Sequence, residues 1–334
     1  MKNLEHLTTD KTALENYLKG QGWLRLNEKV IAVEIPGAGN MNFTLRVKTL
    51  ERSFIVKQSR DYVEKYPQVA APADRALREA EFYQLVATKK SLSKLMPTLN
   101  GVDLVNHVLN LEDLGDSTDF SFLYQKGETL KEQQLIKIVE FVANLHTSLN
   151  KGTTQKTLPN REMRKLNHEH IFIYPYLQEN GLNLNDILPG LQEIANPYKT
   201  NNSLKNNIEK LGERYLMDGN SLLHGDYFPG SWLKSKNGIK IIDPEFCFFG
   251  EPEFEIGVTI AHLKMGDQPE NIISNALKYY KDRAPLNEEL CKQFTAAEIF
   301  RRILGLAQLP LTIDLQQRQE LLSESFEVLL KADY

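Results

Sequence analysis

Only two of the 334 residues are cysteine, Cys247 and Cys291, too distant in the chain for a Cys-x-x-Cys site and too few for a disulfide framework. That scarcity suits a reducing compartment. Charge of one sign is also missing: Lys and Arg number 40, Asp and Glu 44, the net charge is -4, and no block of basic residues occurs. A polyanion binder needs such a block, so nucleic acid is not an expected partner. No apolar run approaches the ~20 residues that span a bilayer. The opening MKNLEHLTTDKTALENYL mixes charged and apolar residues at helical spacing and has no signal-peptide core. No membrane partner is expected, and the expected location is cytoplasmic. Internal repeats and low-complexity tracts are absent. What remains is ordinary for a globular chain, 41% hydrophobic and 25% charged over 334 residues, enough for two lobes with separate cores.

The two halves have different rhythms. After the N-terminal helix, KVIAVEIPG, NFTLRVKTL, SFIVKQ and VDLVNHVLNLEDLG read as strands at hairpin spacing. One amphipathic helix, PADRALREAEFYQLVAT, interrupts them, with Leu77, Phe82, Leu85 and Val86 on one face. Downstream, long apolar stripes at helical period recur in LKEQQLIKIVEFVANLHTSL, LKNNIEKLGERYLMDG, EPEFEIGVTIAHLKMG, NEELCKQFTAAEIFRRILGLAQL and LQQRQELLSESFEVLLKA, and only IKIIDPEF reads as a strand. The expected fold class is α+β: a small antiparallel-sheet lobe over residues 1–115, a link near Glu112 to Ser117, and a larger mainly helical lobe over residues 116–334.

Chemistry-bearing residues fall at the junctions of these elements. Gly37 and Gly39 occupy the turn between the first two strands, where a missing side chain lets backbone N–H groups approach a phosphate. Lys57 follows three apolar residues on SFIVKQ, so its ammonium leaves a buried run and can reach that phosphate, and Glu79 on the next helix is placed to hold it. In LLHGDYFPGSWL, Asp226 sits in a tight polar turn at the edge of an apolar run. Asp243 and Glu245 end a strand two residues apart and therefore point the same way, as two oxygen donors for one magnesium ion. A hairpin between the two segments brings Asp226 to the same mouth as the Asp243/Glu245 pair. In this order, glycine turn, strand lysine, helix glutamate, link, His-x-Asp and strand-end Asp are the parts of a protein-kinase-like phosphoryl-transfer site. His146 reads as a satisfied core histidine.

On these motifs the chain resembles the aminoglycoside phosphotransferase and choline kinase superfamily, and within it the S-methyl-5-thioribose kinases. GNMNFTLRV with FIVKQSRDYV is similar to that family's nucleotide loop and lysine strand, LNLEDLG to its hinge, HGDYFPGS to its catalytic loop, IDPEFCFFG to its metal-binding Asp-x-Glu, and FRRILGLAQ to its twin-arginine helix. The resemblance implies the protein-kinase-like two-lobe fold. It implies ATP bound by Gly37, Gly39, Asn40, Lys57 and Glu79 with the hinge residues Glu112 and Leu114. It also implies Asp226 as catalytic base, Mg2+ on Asp243 and Glu245, and Arg301 and Arg302 facing the acceptor beside Asp226. Ser231 stands where the wider superfamily has a metal-ligating Asn, so its hydroxyl is a candidate third ligand. YFPG lacks the histidine associated with the thioribose enzymes.

The expected activity is therefore ATP-dependent phosphorylation of a hydroxyl on a small, sugar-like molecule such as methylthioribose. The alternatives are an aminoglycoside- or choline-type phosphotransferase and a catalytically idle nucleotide-binding pseudokinase. Gly225 stands where protein kinases carry an arginine for a phosphorylated activation loop, and only about ten residues follow Asp243 before the next helix, which leaves a small hydroxyl-bearing substrate as partner. A homodimer is compatible with the sequence.

Overall fold

The computed structural model describes residues 5–37, 41–154 and 156–332. Asp10 starts the first helix, Lys11–Gly20, by accepting a hydrogen bond from the Ala13 N–H at 2.7 Å. That helix buries Leu14, Tyr17 and Leu18 against a five-stranded antiparallel sheet. In spatial order the strands are Ala32–Glu34, Phe43–Lys48, Ser53–Gln58, Val108–Glu112 and Leu99–Asp103. The Tyr17 hydroxyl donates to Asp103 at 2.7 Å and locks the helix to the far edge strand. Strand alternation then sorts the central strand: Phe54 and Val56 join the cluster under the first helix, while Ile55 packs with the second cluster and Lys57 lies on that same side.

The interrupting helix is Arg75–Ala87, as its periodicity indicates. Between it and the lysine strand stands a short hairpin, Tyr62–Val63 with Tyr66–Ala70, that the sequence reading passes over because its second strand is exposed throughout and so lacks alternation. All five apolar stripes of the second half are helices, at Glu132–Ser148, Asn202–Leu216, Pro252–Met265, Glu288–Leu304 and Leu315–Leu330. Three further helices, Arg161–His168, Leu191–Lys199 and Glu270–Lys281, also form; the first is too polar to show a stripe and the second carries Pro197 in its interior. The strand in IKIIDPEF, Gly238–Ile241, pairs with Trp232–Ser235 as a hairpin, and two more short strands, Ser221–Leu223 and Phe248–Gly250, pair with each other.

Each lobe has an apolar cluster of its own, and a third, larger cluster crosses the boundary near residue 115. It joins Phe82, Leu85 and Leu109 of the first lobe to Ile138, Tyr227, Trp232 and Ile260 of the second. Phe82 also meets the His224 ring edge-on, with centroids 6.0 Å apart. Gly257 lets the helices Pro252–Met265 and Glu288–Leu304 cross closely, since a Cβ there would lie 2.9 Å from the Cys291 carbonyl oxygen. Among the described residues no helix is long and apolar enough to cross a membrane, and both cysteines are buried and unpaired.

A core that spans both lobes makes them unfold together. Phe82→Ala is expected to destabilise the protein by about 3–5 kcal/mol, as for other buried aromatics cut to alanine. Scanning calorimetry should show wild type and variant each melting in one transition; two resolved transitions would mean the lobes are independent.

Candidate active site

Lys57 is 4% exposed, and its ammonium is held by two carboxylates, Glu79 Oε2 at 2.6 Å and Asp243 Oδ1 at 2.5 Å. A lone charge at this depth is costly, and the flanking carboxylates are what make it tolerable. Burial alone would lower the pKa of Lys57, but Asp243, Glu79 and Glu245 together raise it, so the lysine stays charged. For Glu79 burial is the larger effect and pushes its carboxyl up against the pull of Lys57. Asp243 is half exposed; enclosure raises its carboxyl, and the Lys57 ammonium overrides this and holds it below the usual range. Asp243 also adopts φ 62°, a left-handed backbone that few non-glycine residues take and that often marks a functional position.

The strand ends at Ile241, so Asp243 and Glu245 follow it in a loop and not, as expected, two apart on the strand, and Glu245 takes separate partners in the first lobe. Its Oε2 accepts from Asn42 Nδ2 at 2.8 Å and lies 3.4 Å from Arg75 Nε. Burial raises its carboxyl, with Lys57 and Arg75 opposing. Its backbone oxygen accepts from the buried Asn160 side chain at 2.8 Å. Among the described residues no group of three or more His, Cys, Asp or Glu is arranged to enclose a metal. Two hard oxygen donors, one on the half-exposed Asp243, nevertheless fit magnesium, which keeps waters and substrate phosphates as its remaining ligands. Ser231 is spent locally: its hydroxyl donates to the Phe228 carbonyl at 2.9 Å and accepts from the Phe228 N–H at 3.1 Å.

The turn His224–Asp226 is fixed from below. The Glu255 carboxylate accepts from the Gly225 N–H at 2.7 Å, from the His224 N–H at 3.1 Å and from His146 Nε2 at 2.8 Å. His146 Nδ1 in turn meets the Tyr280 hydroxyl at 2.8 Å, so this histidine is the buried, satisfied group expected, though its role is to brace the turn. Gly225 has φ 86°, and a Cβ there would fall 2.1 Å from the Phe246 carbonyl oxygen; only glycine lets the two loops touch. His224 stitches them by donating from Nε2 to the Ile242 oxygen at 2.8 Å. Asp226 thus stands beside the Asp243 loop, as the hairpin reasoning anticipates. Its Oδ1 is buried and takes no hydrogen bond among the described residues, with Arg302 Nη2 nearby at 3.5 Å. Burial raises its pKa, and Arg302 and then Arg301 pull it back.

Both arginines are buried, and their principal partner is a residue the sequence reading misses. Glu298 accepts from Arg302 Nε at 2.6 Å, lies 3.2 Å from Arg301 Nη1 and takes a third bond from His262 at 3.0 Å. Burial raises its carboxyl, but the two guanidiniums outweigh that and hold it well below the usual range. Arg301 also donates to Asn167 at 2.9 Å, and Arg302 lies over the Phe228 ring at 5.0 Å. Glu253 and Glu255 serve elsewhere: Glu253 accepts from the Asn287 N–H and Glu255 from the His224–Asp226 turn.

Gly37 is exposed in the turn after the first strand, with open space where a Cβ would stand. Gly39 and Asn40 lie outside the described residues. Glu112 ends the fourth strand of the sheet, its carboxylate accepting from Thr98, and Leu114 follows in the link. Asp113 between them is gripped by Arg46 Nε at 2.9 Å.

The sequence profile described as the Phosphotransferase enzyme family matches residues 33–288. The chain is similar to methylthioribose kinase of Bacillus mycoides (strain KBAB4), 27% identical over 266 residues, and to methylthioribose kinase of Bacillus cereus (strain AH820), 28% identical over 270 residues. Each match covers 76% of this chain but only 65% of the relative, so the chain aligns with less than two thirds of their length. Among solved structures the fold is similar to the choline kinase LicA from Streptococcus pneumoniae, with a TM-score of 0.57 at 16% identity over 97% of this chain and 100% of that one. It is also similar to an ADP-bound aminoglycoside phosphotransferase, with a TM-score of 0.52 at 15% identity over 96% and 98%. These agree with the two-lobe α+β architecture.

Removing Glu298 would strand two buried guanidiniums. Glu298→Gln is expected to cost about 3–5 kcal/mol, as for other broken buried ion pairs. Because its folded pKa is depressed, Glu298 contributes fully above the ordinary value of 4.5, and the contribution fades as pH falls below it. Urea unfolding should give a gap between wild type and variant that is constant from pH 7 to pH 5 and narrows below; a gap that widens on acidification would contradict this.

Proposed function

The chain belongs to the Phosphotransferase enzyme family, and on that premise we propose that it transfers the γ-phosphate of ATP to a hydroxyl of a small, neutral, sugar-like acceptor. The observation that carries the reading is Asp226: a buried carboxylate oxygen without a hydrogen bond, in a turn braced from below, beside two guanidiniums. With that oxygen facing Arg302, the partly exposed remainder of the carboxylate is left for an acceptor hydroxyl, which Asp226 orients and whose proton it takes as the phosphoryl group is transferred. Arg301 and Arg302 face the acceptor and offer forked donors to its neighbouring hydroxyls. Their two positive charges are matched by Glu298 and Asp226, so these carboxylates are engaged by guanidiniums, which favours a neutral acceptor over a cationic one of the choline or aminoglycoside kind. The names of the aligned relatives support methylthioribose or a related sugar as the acceptor.

Lys57 is the phosphate ligand, held ready by Glu79. Gly37, with Gly39 and Asn40 outside the described residues, is assigned to the phosphates on the sequence pattern, and the backbone of Glu112 and Leu114 to the base. Asp243 and Glu245 would hold magnesium, which supplies charge neutralisation at the phosphates when bound. Ser231, the candidate third metal ligand, closes the following turn, Phe228–Ser231. A cytoplasmic site of action, where ATP is abundant, accords with the two unpaired cysteines.

Asp226→Asn keeps the shape of the base and removes its basicity, so turnover should fall by about two to four powers of ten while nucleotide affinity is kept. Steady-state kinetics with binding calorimetry checks this, and wild-type turnover in the variant would remove Asp226 from the chemistry. The base must be ionised to work, and Arg302 favours that form. Arg302→Met should therefore move the acid limb of kcat/KM to higher pH; an unmoved or lowered limb would mean that Asp226 is not the titrating group.

A further inference from the structure

Arg75, the first residue of the Arg75–Ala87 helix, is 0% exposed and every N–H of its guanidinium finds an acceptor. Nη1 donates to the carbonyls of Arg60 at 2.5 Å and Pro72 at 2.9 Å, and Nη2 to those of Met41 at 2.5 Å and Tyr62 at 3.2 Å. Nε donates to Asn42 Oδ1 at 2.9 Å and lies 3.4 Å from Glu245 Oε2. Asn42 closes the triangle by donating from Nδ2 to that same oxygen at 2.8 Å. Five planar donors in a fixed fork make this possible, and lysine has no equivalent.

The acceptors come from distinct places. Met41 and Asn42 form the stem by which the glycine turn enters the second strand of the sheet, Arg60 and Tyr62 follow the lysine strand, and Glu245 belongs to the loop carrying Asp243. Four residues separate Arg75 from Glu79, so both project from one face of the helix. Glu79 holds Lys57, which holds Asp243, while Arg75 with Asn42 holds Glu245. A single helix face thus governs both carboxylates of Asp-x-Glu, through opposite charges. Packing alone would need neither the buried guanidinium nor its counter-ion, since apolar residues of similar volume fill such a space as well.

We propose that Arg75 is a positioning residue that couples the glycine turn to the metal-binding carboxylates. Through Asn42 it fixes one oxygen of Glu245, so the stem of the turn and the carboxylate move as one unit. This rests on the nucleotide and magnesium roles given above. Seating of a nucleotide under the turn and presentation of Glu245 to the magnesium are then a single event, and the benefit appears as tighter nucleotide binding when magnesium is present.

The test measures ADP affinity by calorimetry with and without magnesium for wild type, Arg75→Met, Asn42→Ala and the double variant. Wild type should bind ADP more tightly with magnesium. Arg75→Met should lose about tenfold or more of that gain, in line with the loss of one partner from a buried charge pair. Asn42→Ala, which spares the buried arginine and tests the link if Arg75→Met does not fold, should lose a smaller part. The double variant should be no worse than Arg75→Met, because both act on one carboxylate. If the variants keep the magnesium gain, or lose affinity equally with and without magnesium, Arg75 is a structural clamp and the coupling is wrong. If wild type itself shows no magnesium-dependent ADP binding, the nucleotide-site reading falls and the coupling falls with it.

Discussion

Lys57 cannot occupy its position alone. A primary ammonium at 4% exposure loses most of its hydration, and what replaces the water is a pair of carboxylates from two other elements, Glu79 and Asp243. The requirement is mutual, because Glu79 is fully buried and Asp243 adopts a left-handed backbone to reach the ammonium. Strand, helix and inter-lobe loop are therefore held in register by one charged group. The shared apolar core beneath them supplies most of the cohesion, and the triad decides which atoms meet.

The same solution recurs in the second lobe with the signs exchanged. There the buried charge is Glu298, and the groups that replace its water are Arg301, Arg302 and His262. His262 is kept neutral, its pKa pushed down to about 4 by burial, so it donates a hydrogen bond without adding charge. Arg302 then extends toward Asp226, and the polar network continues from the helix core to the His224–Asp226 turn. Between the two networks lies Glu255, whose carboxylate binds two successive backbone N–H groups of that turn. Each element of the candidate site is thus positioned by a buried ion or a buried acceptor, an arrangement that holds geometry more tightly than apolar packing.

Much of this is legible from spacing. Three apolar residues before Lys57 place it at the end of a buried strand, and the Glu79 helix shows its period plainly. The Asp226 and Asp243 loops are joined by a short hairpin, as their separation of seventeen positions indicates. The supporting shell is harder to read. Arg75 begins a helix, where a charged residue reads as solvated, and only the three-dimensional return of residues 41, 42 and 245 reveals its burial. Glu298 was within reach, since it precedes Arg301 and Arg302 by three and four residues on one helix, the local spacing for ion pairs. The helix Arg161–His168 escapes for the opposite reason: it has few apolar residues, and Arg164 is buried through Asp218 and the Phe248 ring.

The most direct measurement follows phosphorus. The protein is incubated with ATP and magnesium against a panel holding methylthioribose, other small sugars, choline and aminoglycosides, and the products are observed by 31P nuclear magnetic resonance. The expected result is a new phosphomonoester formed in equal amount with ADP, from a neutral sugar-like member of the panel and not from the cationic ones. Nucleotide binding without a phosphomonoester from any member, or transfer confined to the cations, would contradict the proposed chemistry at Asp226 and its two arginines.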